Sequence, residues 1–210
     1  MIVHTMSISE IQTRISDLFP IIHTKANTLA AKYYKAFLKK PKTNKPVIFS
    51  TVEKIKVKNN IVYLLFGSNT GSYKDFGSYK FLVLDTDHGK EYIQIMAGGL
   101  IRRITKHFID RFIERSSYNC DKNNFLPYLV KELTPRNAVA LNNEIQYLHT
   151  LNGLVVYQNQ TMITYLNDLS QYKESMRELS KSNYEKMGYT RKYADDLVSN
   201  EVVLLIKETK

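Results

Sequence analysis

The residues best equipped to do chemistry lie in one short segment, ITKHFIDRFIERS, residues 104–116. Thr105 is placed to cap a helix. At about 100° per residue, His107, Arg111 and Arg115 then fall at about 0°, 40° and 80° of the helical wheel, on one stripe. Ile104, Phe108, Ile109, Phe112 and Ile113 fill the adjoining arc. Arg115 therefore points at the border of the apolar face and must meet a carboxylate, a carbonyl or a bound phosphate. Such a set suits metal-independent cleavage of RNA. A base must take the 2′-hydroxyl proton and an acid must protonate the leaving oxygen, both tasks for histidine; fixed positive charge must stabilise the phosphorane, a task for a forked guanidinium. A solvated helix on which Arg111 and Arg115 pair with Asp110, Glu114 or a neighbouring sheet accounts for the same residues more economically.

The elements that would position this helix can be read on either side of it. Residues 8–39 carry apolar side chains at helical spacing, capped at Ser7 or Ser9, with Pro20 expected to kink the segment or divide it into two helices. KKPKTNKP (39–46) reads as a hinge. Residues 47–97 read as antiparallel strands, with hairpins at Lys58-Asn59-Asn60 and at Thr86 to Lys90. Gly98-Gly99 ends them, and a helix is expected from there to about Arg115, with a shorter one at 125–133. Strands at 144–149, 153–158 and 162–166 follow, and helices at about 169–187 and 190–207 close the chain, separated by Gly188. The expected fold is α+β: antiparallel sheet or sheets, N-terminal helices, a central His/Arg-bearing helix and two C-terminal helices. Residues 1–45 form a basic helical segment and 46–210 the main domain, with its chemistry-bearing core at about 100–167.

Charge adds a partner class. Of a formal net charge of +10, residues 1–45 hold eight Lys/Arg against two Asp/Glu and residues 101–142 eight against four. Concentrated positive charge suits a polyanion, from which it releases counterions on binding. Arg102, Arg103 and Lys106 around the central helix, with Lys39, Lys40, Lys42 and Lys45 in the hinge, are the candidate phosphate contacts. Fifteen tyrosines invite base stacking, notably Tyr33, Tyr34, Tyr73 and Tyr79, although most suit core or strand positions. His107, Asp110 and Glu114 can be drawn as a metal trio, but no second ligand motif accompanies them, and no metal or other cofactor is expected. A single cysteine, Cys120, fits a reducing compartment. No run approaches the ~18 apolar residues of a membrane span, so the expected location is the cytoplasm. Dinucleotide, P-loop, esterase-elbow and zincin motifs are absent.

His107, Arg111, Glu114 and Arg115 on a helix, then a short helix, then Val155-Val156 and Ile163-Thr164-Tyr165 in strands together resemble the small ribonuclease-like domains grouped with barnase, EndoU, colicin and RelE-type toxins. The resemblance covers about residues 105–166. It implies a toxin-type or mobile-element ribonuclease: His107 the acid/base, Arg111 and Arg115 the phosphate clamps, and Thr164 or Tyr165 a hydrogen-bonding neighbour, of which strand alternation lets only one face the cleft. His149 is the best second histidine. The alternative is a non-catalytic nucleic-acid-binding or protein-interaction domain, with RNA favoured over DNA as partner.

Overall fold

The computed structural model describes residues 1–41, 45–68, 70–133, 137–140, 145–150 and 152–167, with the backbone alone described at 137–140, 145–147 and 149. It opens with one helix, α1 (Ile8–Phe37), started by a capping box in which Ser7 Oγ accepts from the Glu10 N–H and the Glu10 carboxylate accepts from the Ser7 N–H. Pro20 lies inside α1 and does not divide it, contrary to the expectation of two N-terminal helices. The stripe Ile11, Ile15, Leu18, Ile22, Ala26, Tyr33 and Phe37 is buried without a break on both sides of the proline. Full burial of an aliphatic side chain contributes about 1.5–3 kcal/mol, so several such residues outweigh the ~3 kcal/mol that an interior proline costs.

The strands are β1 (Val47–Ile48), β2 (Glu53–Val57), β3 (Asn60–Ser68), β4 (Phe76–Thr86), β5 (Gly89–Ile95), β6 (Ile101–Ile104), β7 (Asn137–Ala140), β8 (Ile145–His149), β9 (Leu154–Gln158) and β10 (Thr161–Leu166). Two short helices, α2 (Lys106–Arg115) and α3 (Phe125–Glu132), separate β6 from β7. These ten strands of the described residues join one sheet in the order β1-β3-β4-β5-β6-β10-β9-β8-β7, with β2 also on β3. The sheet is mixed, which corrects the expectation of antiparallel pairing throughout. β10 returns to lie parallel to β6 after the excursion through α2, α3 and the β7–β9 meander, the long crossover that a parallel pair requires. β6 also corrects a helix expected to run unbroken from Gly98-Gly99: Arg103 is held across to β5 by Glu91, and the helix starts only at the Thr105 cap.

The sheet has a core on each face. α1 covers Val57, Val62, Leu64, Leu82, Ile93 and Ile101 on one, while α2 and α3 cover Leu65, Phe81, Tyr92, Ile104, Val155, Met162 and Tyr165 on the other. The hairpin turn expected at 58–60 forms, with Lys58 at φ 52°, and between β9 and β10 Asn159-Gln160 take 45° and 61°, the paired positive φ of a two-residue hairpin loop. The two expected C-terminal helices fall outside the described residues, and the described fold holds three α-helices, one of them N-terminal. No helix among the described residues is long and apolar enough to cross a membrane.

Candidate functional site

α2 begins at the cap the sequence offers, Thr105, and ends at Arg115. The Thr105 hydroxyl accepts from the Phe108 N–H at 3.1 Å and donates to the Met162 carbonyl at 3.1 Å, so a single side chain both caps α2 and fastens it to β10. Phe108, Ile109 and Phe112 are buried against the sheet. On the outer stripe His107 is exposed, and Arg111 pairs with Glu114 at 2.7 Å. Arg115, half-buried, donates from Nη1 to the Tyr165 carbonyl at 3.2 Å. Of the partners open to Arg115, a carbonyl takes it.

Thr164 does not join this stripe. A register shift between Met162 and Thr164 inserts one residue into β10, so Met162 and Tyr165 both face the α2 side and Thr164, opposite Val156, faces the other. Tyr165 is the residue that faces α2, packed edge-on to Phe112 at 5.2 Å between ring centroids. Among the remaining candidates, Arg102 stacks over Tyr157 at 5.2 Å, with its buried Nε lacking a hydrogen-bond partner among the described residues. Arg103 is committed inward, to Glu91 at 2.7 Å and the His4 carbonyl at 3.3 Å. Lys39, Lys40 and Lys45 are exposed, Lys40 lying over Phe49 at 5.0 Å, and Lys42 falls outside the described residues. Only the backbone of His149 is described, in β8.

The cleft opens on the opposite flank of α2. A cavity of about 530 Å³ is lined by Lys54 of β2, His88 and Lys90 of the β4–β5 hairpin, Lys106 and Asp110 of α2, and Lys122 of the loop before α3, over a floor that includes Tyr63, Tyr92 and Phe125. Of this group, sequence reasoning named Lys106 as a phosphate contact and Asp110 as an ion-pair partner or member of a metal trio, and missed the rest. Asp110 is its one carboxylate among the described residues, and both Lys106, at 2.5 Å, and Lys122, at 3.1 Å, converge on it. The Lys106 ammonium, followed by that of Lys122, holds Asp110 below the usual aspartate range. Lys54 and Lys90 make no ion pair among the described residues. In the floor, Tyr92 packs edge-on to Phe125 at 5.4 Å and tilted to Tyr63 at 6.2 Å; burial pushes its phenol up to about 12, so it remains a neutral ring. The cleft therefore presents positive charge above an aromatic surface.

Beyond the cleft, α3 ends in a fully buried acid. Glu132 accepts from Thr150 Oγ1 at 2.5 Å, the Asn152 N–H at 2.7 Å, Asn152 Nδ2 at 2.8 Å, Tyr165 Oη at 2.9 Å and Tyr118 Oη at 3.1 Å. Burial, then the neighbouring carboxylate, drives the Tyr165 and Tyr118 phenols well above their ordinary range. In the unfolded chain these phenols lose protons near pH ~10, whereas the folded state retains them. The unfolded state then binds fewer protons, and stability falls as pH rises past that point. Absorbance at alkaline pH is expected to show these two tyrosines ionising only as the protein unfolds; their ionisation in the folded protein near pH ~10 would contradict the described burial.

Comparison with protein-family models, with curated proteins and with solved structures finds no match to this chain.

Proposed function

We propose that the protein binds nucleic acid, RNA in the first instance, through the basic cleft beside α2. The observation that carries this reading is the convergence of Lys54, Lys90, Lys106, Lys122 and His88 on one cavity with an aromatic floor and a single carboxylate. Lysine ammoniums on flexible stems suit phosphate oxygens met in variable geometry, and tyrosine offers bases a sequence-tolerant surface. Asp110 holds two of the lysines in place until a phosphate takes over its role. A formal charge of +10 adds long-range steering of a polyanion.

Cleavage is the second reading, and one observation favours it: α2 and α3 are followed by the antiparallel β7–β10 meander, in the order implied by the ribonuclease-like resemblance, with His107 open to solvent at the start of α2. In this reading His107 moves the proton and Arg111 leaves Glu114 to meet the phosphate, while Arg115 anchors α2 to β10. Thr164, on the other face, takes no part.

One experiment addresses both. RNA affinity of the wild type is measured over a range of salt concentrations beside His107→Ala, and the same mixtures are assayed for cleavage. The expected result is salt-dependent binding with a log–log slope of about −2 to −3, as three or four phosphate contacts at about 0.7 each would give, unchanged by His107→Ala. Loss of cleavage with retained binding establishes the second reading; a wild type that binds no RNA at low salt removes both.

A further inference from the structure

The cleft does not stand alone. β2 pairs with β3 only, so its other edge is open among the described residues, and its side chains alternate: Glu53, Ile55 and Val57 turn toward α1, Lys54 and Lys56 toward the cleft side. Charges on an edge strand also discourage strand-to-strand aggregation. That role accounts for the presence of lysine but not for an adjoining aromatic cavity. At about 3.3–3.4 Å per residue, Lys54 and Lys56 stand about 7 Å apart along the strand, a spacing on which neighbouring phosphates of one extended chain can each find a cation. Neither lysine makes an ion pair among the described residues.

Directly across from Lys54 in the ladder lies Tyr63, half-buried, lining the cleft and set against the Tyr92 ring, which in turn packs on Phe125. A ring set in the floor among cations rewards a ligand that brings a flat face together with its phosphates. In a duplex those faces are occupied by neighbouring base pairs; only an unpaired base can present one. A cavity of about 530 Å³ falls within the range for a small ligand, space for about one nucleotide and far too little for a double helix.

We propose that the cleft and β2 together form a binding track for single-stranded nucleic acid, in which one unpaired base enters the cleft onto Tyr63 and the adjoining phosphates run along Lys54 and Lys56. The proposal rests on the cleft being the nucleic-acid site and adds the strandedness of the ligand and the residue that selects it. Tyr63 is a specificity residue in this scheme, and Lys56 extends the contact beyond the cavity.

The test compares a labelled single-stranded RNA oligomer with the perfect duplex of the same sequence by fluorescence anisotropy, using the full chain. The variants are Tyr63→Leu, which keeps apolar bulk and removes the ring; Tyr63→Phe, which keeps the ring; and Lys56→Gln at an exposed position, with thermal melts confirming that each folds. The expected result is a preference for the single strand of about tenfold or more, a loss of about fivefold or more of single-strand affinity in Tyr63→Leu with duplex binding unchanged, near-wild-type behaviour of Tyr63→Phe, and a shallower salt slope in Lys56→Gln. Equal binding of strand and duplex, unaffected by Tyr63→Leu, overturns the track while leaving the cleft as a phosphate site. Polyglutamate binding as tightly as RNA and indifferent to Tyr63 also overturns it. Binding of neither nucleic acid by the wild type removes the cleft reading itself.

Discussion

Glu132→Ala is expected to lower the free energy of unfolding by about 3–5 kcal/mol, enough to remove most of the stability of a marginal domain. The carboxylate sits at the C-terminal end of α3 with no exposed surface, and the donors aimed at it come from three other places: Tyr118 ahead of α3, Thr150 and Asn152 in the loop joining β8 to β9, and Tyr165 of β10. Alanine removes every acceptor at once. Thr150 retains a bond to the Gly153 carbonyl, and Tyr118 can still accept from Asn152, but the buried Tyr165 hydroxyl and the part-buried Asn152 N–H are left facing a void. Each unsatisfied donor costs about 1–3 kcal/mol. Glu132→Gln is a milder change, because Oε1 survives and only the Oε2 side meets donors with a donor. Its expected loss is about 1–2 kcal/mol. Urea unfolding followed by circular dichroism reads both, and a loss below about 1 kcal/mol in the alanine variant would mean that the cluster is not the clamp its geometry describes.

How much of this was legible in the sequence depends on the range over which each feature is encoded. α2 is local: cap, periodicity and apolar arc all lie within ITKHFIDRFIERS, and the helix begins at the expected cap. Hairpin turns are local as well, and those at 58–60 and 159–160 form where turn residues interrupt β-branched runs. Pro20 misleads because its penalty is local while the compensation, burial of α1 along the sheet, is tertiary. β6 is too short for its period to show, and only pairing with β5 and β10 makes IRRI a strand. Strict alternation assigns Met162 and Tyr165 to opposite faces; the inserted residue at Ile163 brings them to the same one, and a β-bulge leaves little trace in composition. The cleft is the extreme case. Its lining is drawn from residues 52–54, 63, 88–92, 106–110 and 122–126, segments that meet only because β2, β3 and β5 share a sheet with α2 crossing above. Besides Lys106 and Asp110, the sequence carries a signal in the alternation of EKIKV, in which two lysines share a face. Glu132 gave none, since a glutamate in the last turn of a short helix is ordinarily a solvated residue.

Reversing two charges in the cleft, Lys54→Glu with Lys90→Glu, is expected to weaken RNA binding by about 100-fold or more at low salt and to reduce the log–log salt slope by about 1.4, the loss of two contacts to a single strand. These two lysines are chosen because they are exposed and make no ion pair among the described residues, so neither replacement strands a partner inside the fold. A unit charge about 4 Å from a phosphate is worth about 1 kcal/mol even in bulk water; turning attraction into repulsion at two positions changes the sum by about 4 kcal/mol before salt screens part of it. Lys35→Glu on α1, across the sheet, changes net charge without touching the cleft and is expected to have a much smaller effect. Asp110→Asn moves the other way. It releases Lys106 and Lys122 from their shared carboxylate and removes the one negative charge an incoming phosphate must approach, so affinity is expected to rise by up to about fivefold, the worth of an exposed ion pair. Opposite signs from Lys54/Lys90 and Asp110 at a single site identify a local phosphate contact, whereas a general effect of net charge would make Lys35→Glu, position for position, as damaging as the cleft substitutions. Anisotropy titrations at two salt concentrations separate these outcomes, and a double reversal that leaves affinity and slope unchanged would move the nucleic-acid site away from this cleft.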